Sequence, residues 1–183
     1  MRKAAISAGH SNTPGKDMGA TGNGLTEGIE TVKIRNKVKA RLERMGVKVS
    51  VDPDDSVTGA TVRLFKQYFK GKDVVIDIHL NAATSSMATG TEVIIPDVFT
   101  DFEKELAKEL SLAISGALNI ANRGVKTEAQ TFRKKLLWMT IPAENILIEC
   151  FFVSNTTDVK AYLMYGDKMC DKIAEVIYKY LQK

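Results

Sequence analysis

The chain reads as an α/β domain: a single twisted, mostly parallel sheet of about six strands with helices on both faces. Short apolar runs alternate with longer segments of helical period, as expected of a sheet covered by helices. No linker, internal repeat or low-complexity tract interrupts the alternation, and 183 residues with 44% hydrophobic content suffice for one core. Residues 1–183 are therefore expected to form one domain.

The first apolar run, residues 2–9, is read as a strand that ends at His10. A glycine-rich segment, 10–25, follows with Gly15, Gly19, Gly22 and Gly24. Glycine there permits positive φ and a close backbone approach to a ligand, and no Gly-Lys-Ser/Thr ending marks a phosphate loop. Thr26 is placed as the N-cap of a first helix, in which Ile34, Val38, Leu42 and Met45 recur at spacings of four, four and three before Gly46 stops it. A strand at 47–51 precedes a second helix at 57–70, with Val62, Phe65 and Phe69 inward. In the strand at 74–80, alternation puts Val75, Asp77, His79 and Asn81 on one face and Val74, Ile76, Ile78 and Leu80 on the other. After a loop at 81–90 come a strand at 91–96 and a helix at 101–118 that buries Phe102, Leu106, Leu110, Ala113 and Ala117. A long loop, 126–134, leads to strands at 135–139 and 145–150. The last helix, 167–181, packs through Met169, Ile173, Val176, Ile177 and Tyr180.

Composition narrows the function classes. A net charge of +4 and a pI near 9.0 favour polyanions, whether nucleic acid, an anionic membrane surface or cell-wall polymer. Lys and Arg are scattered over helical faces without interleaved aromatics, so no nucleic-acid partner is expected. No apolar run is long enough to cross a bilayer, so stable membrane insertion is not expected. Cys150 and Cys170 fit neither a CxxC pair nor a stapled small domain and are read as reduced core residues. Met1-Arg2-Lys3 runs straight into a strand without a signal-peptide pattern; the expectation is synthesis in the cytoplasm, with another exit route for work outside the cell. A monomer is expected.

The only two histidines, His10 and His79, stand at strand exits, with Glu27 opening the first helix and Glu149 ending a later strand. A zinc hydrolase needs imidazoles and a carboxylate as ligands, an open position for water, and a second carboxylate to move protons. His10, Glu27 and His79 supply such a ligand set, and open α/β sheets gather ligands where strands exit. Glu149 is the candidate to take a proton from water and pass it to a leaving amine. Asp77, two residues before His79, is expected to accept a hydrogen bond from a ligand imidazole, with His10 as the assigned partner. Singly, each residue has a plainer reading: hydrogen-bonded histidines, Glu27 as a helix N-terminal charge, Glu149 paired with a lysine, Asp77 on a backbone amide, Asp17 and Asn81 in turns. The joint pattern favours the metal site. Trp138 is assigned to the core and the cluster Arg133-Lys134-Lys135, beside Phe132, to solvent.

With those residues in place, the chain resembles, nearly end to end, the zinc-dependent N-acetylmuramoyl-L-alanine amidases of phage endolysins and bacterial cell-wall hydrolases. Gly9-His10, Asp17-Met18-Gly19-Ala20 and Gly24-Leu25-Thr26-Glu27 resemble the first block and imply His10 and Glu27 as Zn2+ ligands. Ile78-His79-Leu80-Asn81-Ala82 implies His79 as the third. Gly90-Thr91-Glu92-Val93 is similar to the following strand, and Arg123-Gly124-Val125-Lys126 to a loop motif. The closing block, Ile146 to Asn155 with Asp158 behind it, implies Glu149 as the catalytic carboxylate. The resemblance implies peptidoglycan as substrate and hydrolysis of the amide between N-acetylmuramic acid and L-alanine. No separate wall-binding domain is expected, a further departure, and the lack of a signal-peptide pattern suits action on the wall after holin-dependent release or cell lysis. Asp17 and Asn81 join Asp77 as candidate ligand-supporting or substrate-binding residues.

Three positions depart from the family pattern. Ser11 replaces a second glycine, Asp77 a small residue, and the acidic Asp52-Pro53-Asp54-Asp55 an arginine after the second strand. Two rival functions share the same residues: a zinc peptidase cutting within the peptide stem, and a non-catalytic wall-binding domain.

Overall fold

The computed structural model describes residues 2–183. Strand β1 (Ala4–Ala8) is flanked in parallel by β4 (Val49–Val51) and β5 (Val74–Asn81). On the far side of β5 lies β8 (Glu144–Phe152), also parallel; β6 (Thr91–Ile95) runs antiparallel to β8, and β7 (Asn122–Thr127) closes the edge parallel to β6. The order β4-β1-β5-β8-β6-β7 makes a mixed, mostly parallel six-stranded sheet. A separate two-stranded hairpin, β2 (Thr21–Gly22) with β3 (Leu25–Thr26), folds within the glycine-rich segment. The chain passes from β1 to one side, to β4, and then to the other, to β5.

Helices α1 (Glu27–Arg44), α3 (Asp101–Leu118) and α4 (Thr156–Leu181) cover one face; α2 (Thr58–Tyr68) covers part of the other. The β1-to-β4 connection carries α1 on one face and the β4-to-β5 connection carries α2 on the other, so the carboxyl ends of parallel β1 and β5 lie side by side. The larger core joins Ile34, Val38 and Leu42 of α1 and Leu106, Leu110 and Ile114 of α3 to Ile76, Ile78, Ile146 and Ile148 of the sheet. The smaller core holds Val62 and Phe65 of α2 against Val75, Leu147 and Trp138. Alternation in β5 follows the predicted faces: Val74, Ile76, Ile78 and Leu80 enter the larger core, and Val75 enters the smaller. Cys150 and Cys170 are free and buried.

Three elements differ from the sequence reading. Residues 135–139 are not a strand: Leu137–Thr140 form a 3-10 turn that seats the buried Trp138 with its ring centroid 5.7 Å from that of Phe65. A short apolar run satisfies either period, and here the face beside α2 needed a plug more than another strand. The sixth strand is instead β7, whose Asn122, Arg123 and Gly124 read as loop chemistry because an edge strand with half-exposed faces carries little apolar pattern. Helix α4 also begins at Thr156 rather than 167, capped by the Asn155 side chain, which accepts the Thr157 and Asp158 amides. Thr26 does occupy the N-cap position of α1, though its side chain makes no capping bond.

The acidic segment after β4 is structural. Asp52 accepts the Ala8 amide at 3.1 Å, the Asp54 carbonyl accepts the Asn12 amide at 3.1 Å, and Asp55 accepts Lys16 Nζ at 2.8 Å. Residues 52–55 thus hold both the exit of β1 and the glycine-rich segment that follows it.

Candidate metal centre

His10 leaves β1 in the left-handed region, at φ 67°, which turns its ring back over the sheet end. His79 projects from the third-to-last position of β5, and Glu27 from the first residue of α1, delivered by the β2–β3 hairpin. One donor atom from each of these three side chains lies within 4.8 Å of the other two. Glu27 sits between the rings: Oε1 is 3.0 Å from His79 Nδ1 and Oε2 is 3.5 Å from His10 Nε2. Backbone amides hold the carboxylate, Leu80 N–H on Oε1 at 3.0 Å and Ala20 N–H on Oε2 at 2.9 Å. The rings meet edge to face with centroids 5.1 Å apart. Glycine makes the approach possible, since a Cβ at Gly9 would clash with the His79 ring and one at Gly19 would strike Glu27 and His10.

Each ring's other nitrogen faces an aspartate. His79 Nε2 is hydrogen-bonded to Asp77 Oδ2 at 3.0 Å, so the expected partnership of Asp77 with His10 is replaced by one with His79. Strand alternation puts residues two apart on one face, and that proximity decides the partner. His10 Nδ1 instead lies 3.1 Å from Asp17 Oδ2, outside hydrogen-bond alignment. Asn81 does not reach the cluster; its amide donates to Glu92.

Burial works against a charged His79, but Asp77 and Glu27 outweigh it and hold the imidazole well above its ordinary pKa. Burial likewise pushes Glu27 up, and the His79 and His10 rings with the Ala20 amide bring it below the ordinary carboxylate range. The Gly19 amide, aided by His10 and Arg133, lowers Asp17. Two imidazoles and one carboxylate with converging atoms fit a divalent cation, and His/Glu/His is a catalytic zinc set. Without metal, a proton on His79 takes the place of that cation.

Binding of a divalent cation in this cluster would therefore be coupled to proton release. Below the raised His79 pKa, Zn2+ affinity should fall about tenfold per pH unit as pH drops. Calorimetry in buffers of different ionisation enthalpy reads the released proton directly; an affinity flat from pH 7 to pH 5 contradicts the coupling. Asp77→Asn, which removes the carboxylate orienting His79, should weaken Zn2+ binding by about 10- to 100-fold with the fold retained. Competition with a fluorescent chelator measures it.

Glu149 stands directly across from His79 in the β5–β8 register, on the same face. Its Oε2 is buried without a hydrogen-bond partner, and its backbone is fixed by the Thr91 hydroxyl donating to its carbonyl at 3.0 Å. Burial first, then the Glu27, Glu92 and Asp77 carboxylates, push its pKa to about 8 against the pull of His79. Glu92, not singled out from sequence, is the next residue in the row, paired across β6 with Glu149. The available signal was its position inside Thr91-Glu92-Val93-Ile94-Ile95, where an unpaired carboxylate is costly. Arg123 and Lys126 supply the pairing, each donating to Glu92 Oε2 at 2.6 Å.

Comparison with known proteins identifies the family. Residues 5–183 match the Amidase_3 family, described as N-acetylmuramoyl-L-alanine amidase. The chain is 28% identical over 179 residues to the N-acetylmuramoyl-L-alanine amidase LytC of Bacillus subtilis, covering 96% of this chain and 34% of LytC. It is 32% identical over 148 residues to the probable cell wall amidase LytH of Staphylococcus saprophyticus, covering 79% of this chain and 46% of LytH. It thus spans less than half the length of either relative. Among solved structures, an N-acetylmuramoyl-L-alanine amidase from Clostridium difficile 630 superposes with a TM-score of 0.81 at 26% identity, covering 100% of this chain and 97% of that one. AmiC2 of Nostoc punctiforme superposes with a TM-score of 0.77 at 28% identity, covering 100% and 98%. With its match running from β1 to the final residue, the chain belongs to the Amidase_3 N-acetylmuramoyl-L-alanine amidase family.

Proposed function

We propose that the chain hydrolyses the amide between N-acetylmuramic acid and L-alanine in peptidoglycan, with Zn2+ held by His10, Glu27 and His79. The observation that carries this reading is the juxtaposition of the His10, Glu27 and His79 donors with Glu149, one strand away, in a chain that matches the amidase family nearly end to end. A zinc ion in that cluster supplies Lewis acidity toward a carbonyl oxygen and acidifies water. Glu149 accepts a proton from the attacking water and returns it to the departing L-alanine nitrogen, which leaves as an amine. A dication bound in the neighbouring cluster would favour the carboxylate form of Glu149 that takes up this proton, and its free Oε2 has no competing partner. Asp77 orients His79, and the Leu80 and Ala20 amides orient Glu27.

Mass spectrometry of purified walls after digestion, with and without chelator, tests metal, bond and reaction together. The expected products carry new L-alanine amino termini and intact glycan, and they vanish with chelator. Cuts inside the stem would assign a peptidase; wall binding without any product would assign a binding domain.

A further inference from the structure

We propose that Arg123 and Lys126 form a subsite for a substrate carboxylate on the peptide side of the scissile amide. The proposal rests on the amidase reading above. His79, Glu149 and Glu92 form one row across β5, β8 and β6, and β7 continues it with an irregular register: Thr91 faces Asn122, but Val93 faces Val125. The extra residue is absorbed at Gly124, at φ 78°, and such a bulge re-aims neighbouring side chains. Here it accompanies Arg123 reaching Glu92 from the edge strand, beside Lys126.

Neutralising Glu92 needs one cation, and the structure provides two, together with the Asn81 amide at 3.0 Å. The cluster keeps a surplus positive charge at the end of the catalytic row. Arg123 is also fixed in place: Nε donates to Glu92, Nη1 lies 3.5 Å from the Thr89 carbonyl, and the guanidinium carbon sits 5.1 Å from the centroid of the Phe152 ring. Its Nη2 has no protein partner among the described residues, and the side chain is 37% exposed. Lys126, 28% exposed, uses one of its N–H groups on Glu92. A pre-oriented guanidinium with unused donors is the group that binds carboxylates with most geometric discrimination.

The chemistry of the substrate selects the side. The lactyl carboxyl is consumed in the scissile amide and the sugars offer hydroxyl and acetamido groups, so the remaining carboxylates belong to the peptide. Adjacent strands lie about 4.8 Å apart, which places β7 roughly 10 Å from the strand of Glu149. An extended peptide advances about 3.5 Å per residue, so the recognised carboxylate belongs to the second or third residue beyond the cut bond.

The test compares synthetic muropeptides that differ only in a glutamate residue or its glutamine amide at the second stem position, and in a second pair at the third. The native protein should favour the acid at one of these positions by about 10- to 100-fold in kcat/KM, the range of a charge-assisted hydrogen bond. In Lys126→Gln, where Arg123 still neutralises Glu92, and in Arg123→Gln/Lys126→Gln, that ratio should fall toward one whatever happens to the absolute rate. Equal cleavage of acid and amide by the native protein at both positions overturns the subsite, as does a preference that survives the double substitution. If no peptide yields a free L-alanine amino terminus, the amidase reading itself fails and the subsite with it. That result is distinct from cleavage without discrimination.

Discussion

Glu149→Gln should lower turnover of peptidoglycan by about 10²- to 10⁴-fold, the usual loss when a positioned proton carrier is removed, and should stabilise the metal-free protein at alkaline pH. Both effects have one cause. Burial first, and then the surrounding Glu27, Glu92 and Asp77 carboxylates, make the folded metal-free chain hold this carboxyl neutral up to about pH 8 against an ordinary value of 4.5. The sign follows from proton counts: between those two values the unfolded chain has released this proton and the folded chain has not. This group's contribution to stability is therefore full below pH 4.5 and is lost as pH rises through about 8. Glutamine keeps the shape and never ionises. Thermal melts in chelator should show the variant melting several degrees above the native protein at pH 8, with the gap closing toward pH 5. A native protein that melts as high as the variant at pH 8 would place Glu149 in a solvated setting. Full activity in the variant would remove it from the proton transfer.

Arg35→Ala should destabilise the fold by about 3–5 kcal/mol, a large share of a typical domain's stability. Arg35 and Asp52 each have only 1% of the side chain exposed. Arg35 Nη1 donates to Asp52 Oδ1 at 2.9 Å and to its carbonyl at 3.0 Å, while Nη2 pairs with Asp54. Removing the guanidinium strands a buried carboxylate that also accepts the Ala8 amide, two residues before His10. Burial already raises the Asp52 pKa despite Arg35, so the variant should recover part of its stability as pH falls and Asp52 takes up a proton. Urea unfolding at pH 8 and pH 5 measures both. Arg35→Ala/Asp52→Ala should unfold later than the single variant, because it leaves no buried charge behind. Equal stability of the two would make the pair incidental.

That pair also accounts for a departure visible in the chain. Where the family pattern has an arginine after the second strand, the segment Asp52–Asp55 receives Arg35 from α1 and clamps the loop that carries His10. A local reading sees an acidic turn, because its partner lies 17 residues earlier on another element.

The amino-acid order alone carried the α/β class, five of the six sheet strands, the helical stripes, the faces of β5, and the candidates His10, Glu27, His79 and Glu149. These are properties of period and of residue type: an apolar repeat survives in one dimension, and two histidines at two strand exits are conspicuous by rarity. Three-dimensional packing settled what depends on neighbours distant along the chain. Asp77 holds His79 instead of His10, Asp17 stands by His10, and Asn81 turns to Glu92. The run around Trp138 coils under the sheet while polar, glycine-bearing β7 completes it, and that exchange brings Arg123 and Lys126 to the row of Glu149. Side-chain partners and edge-strand pairing are decided by register between strands, and register is a relation among segments that no single segment encodes.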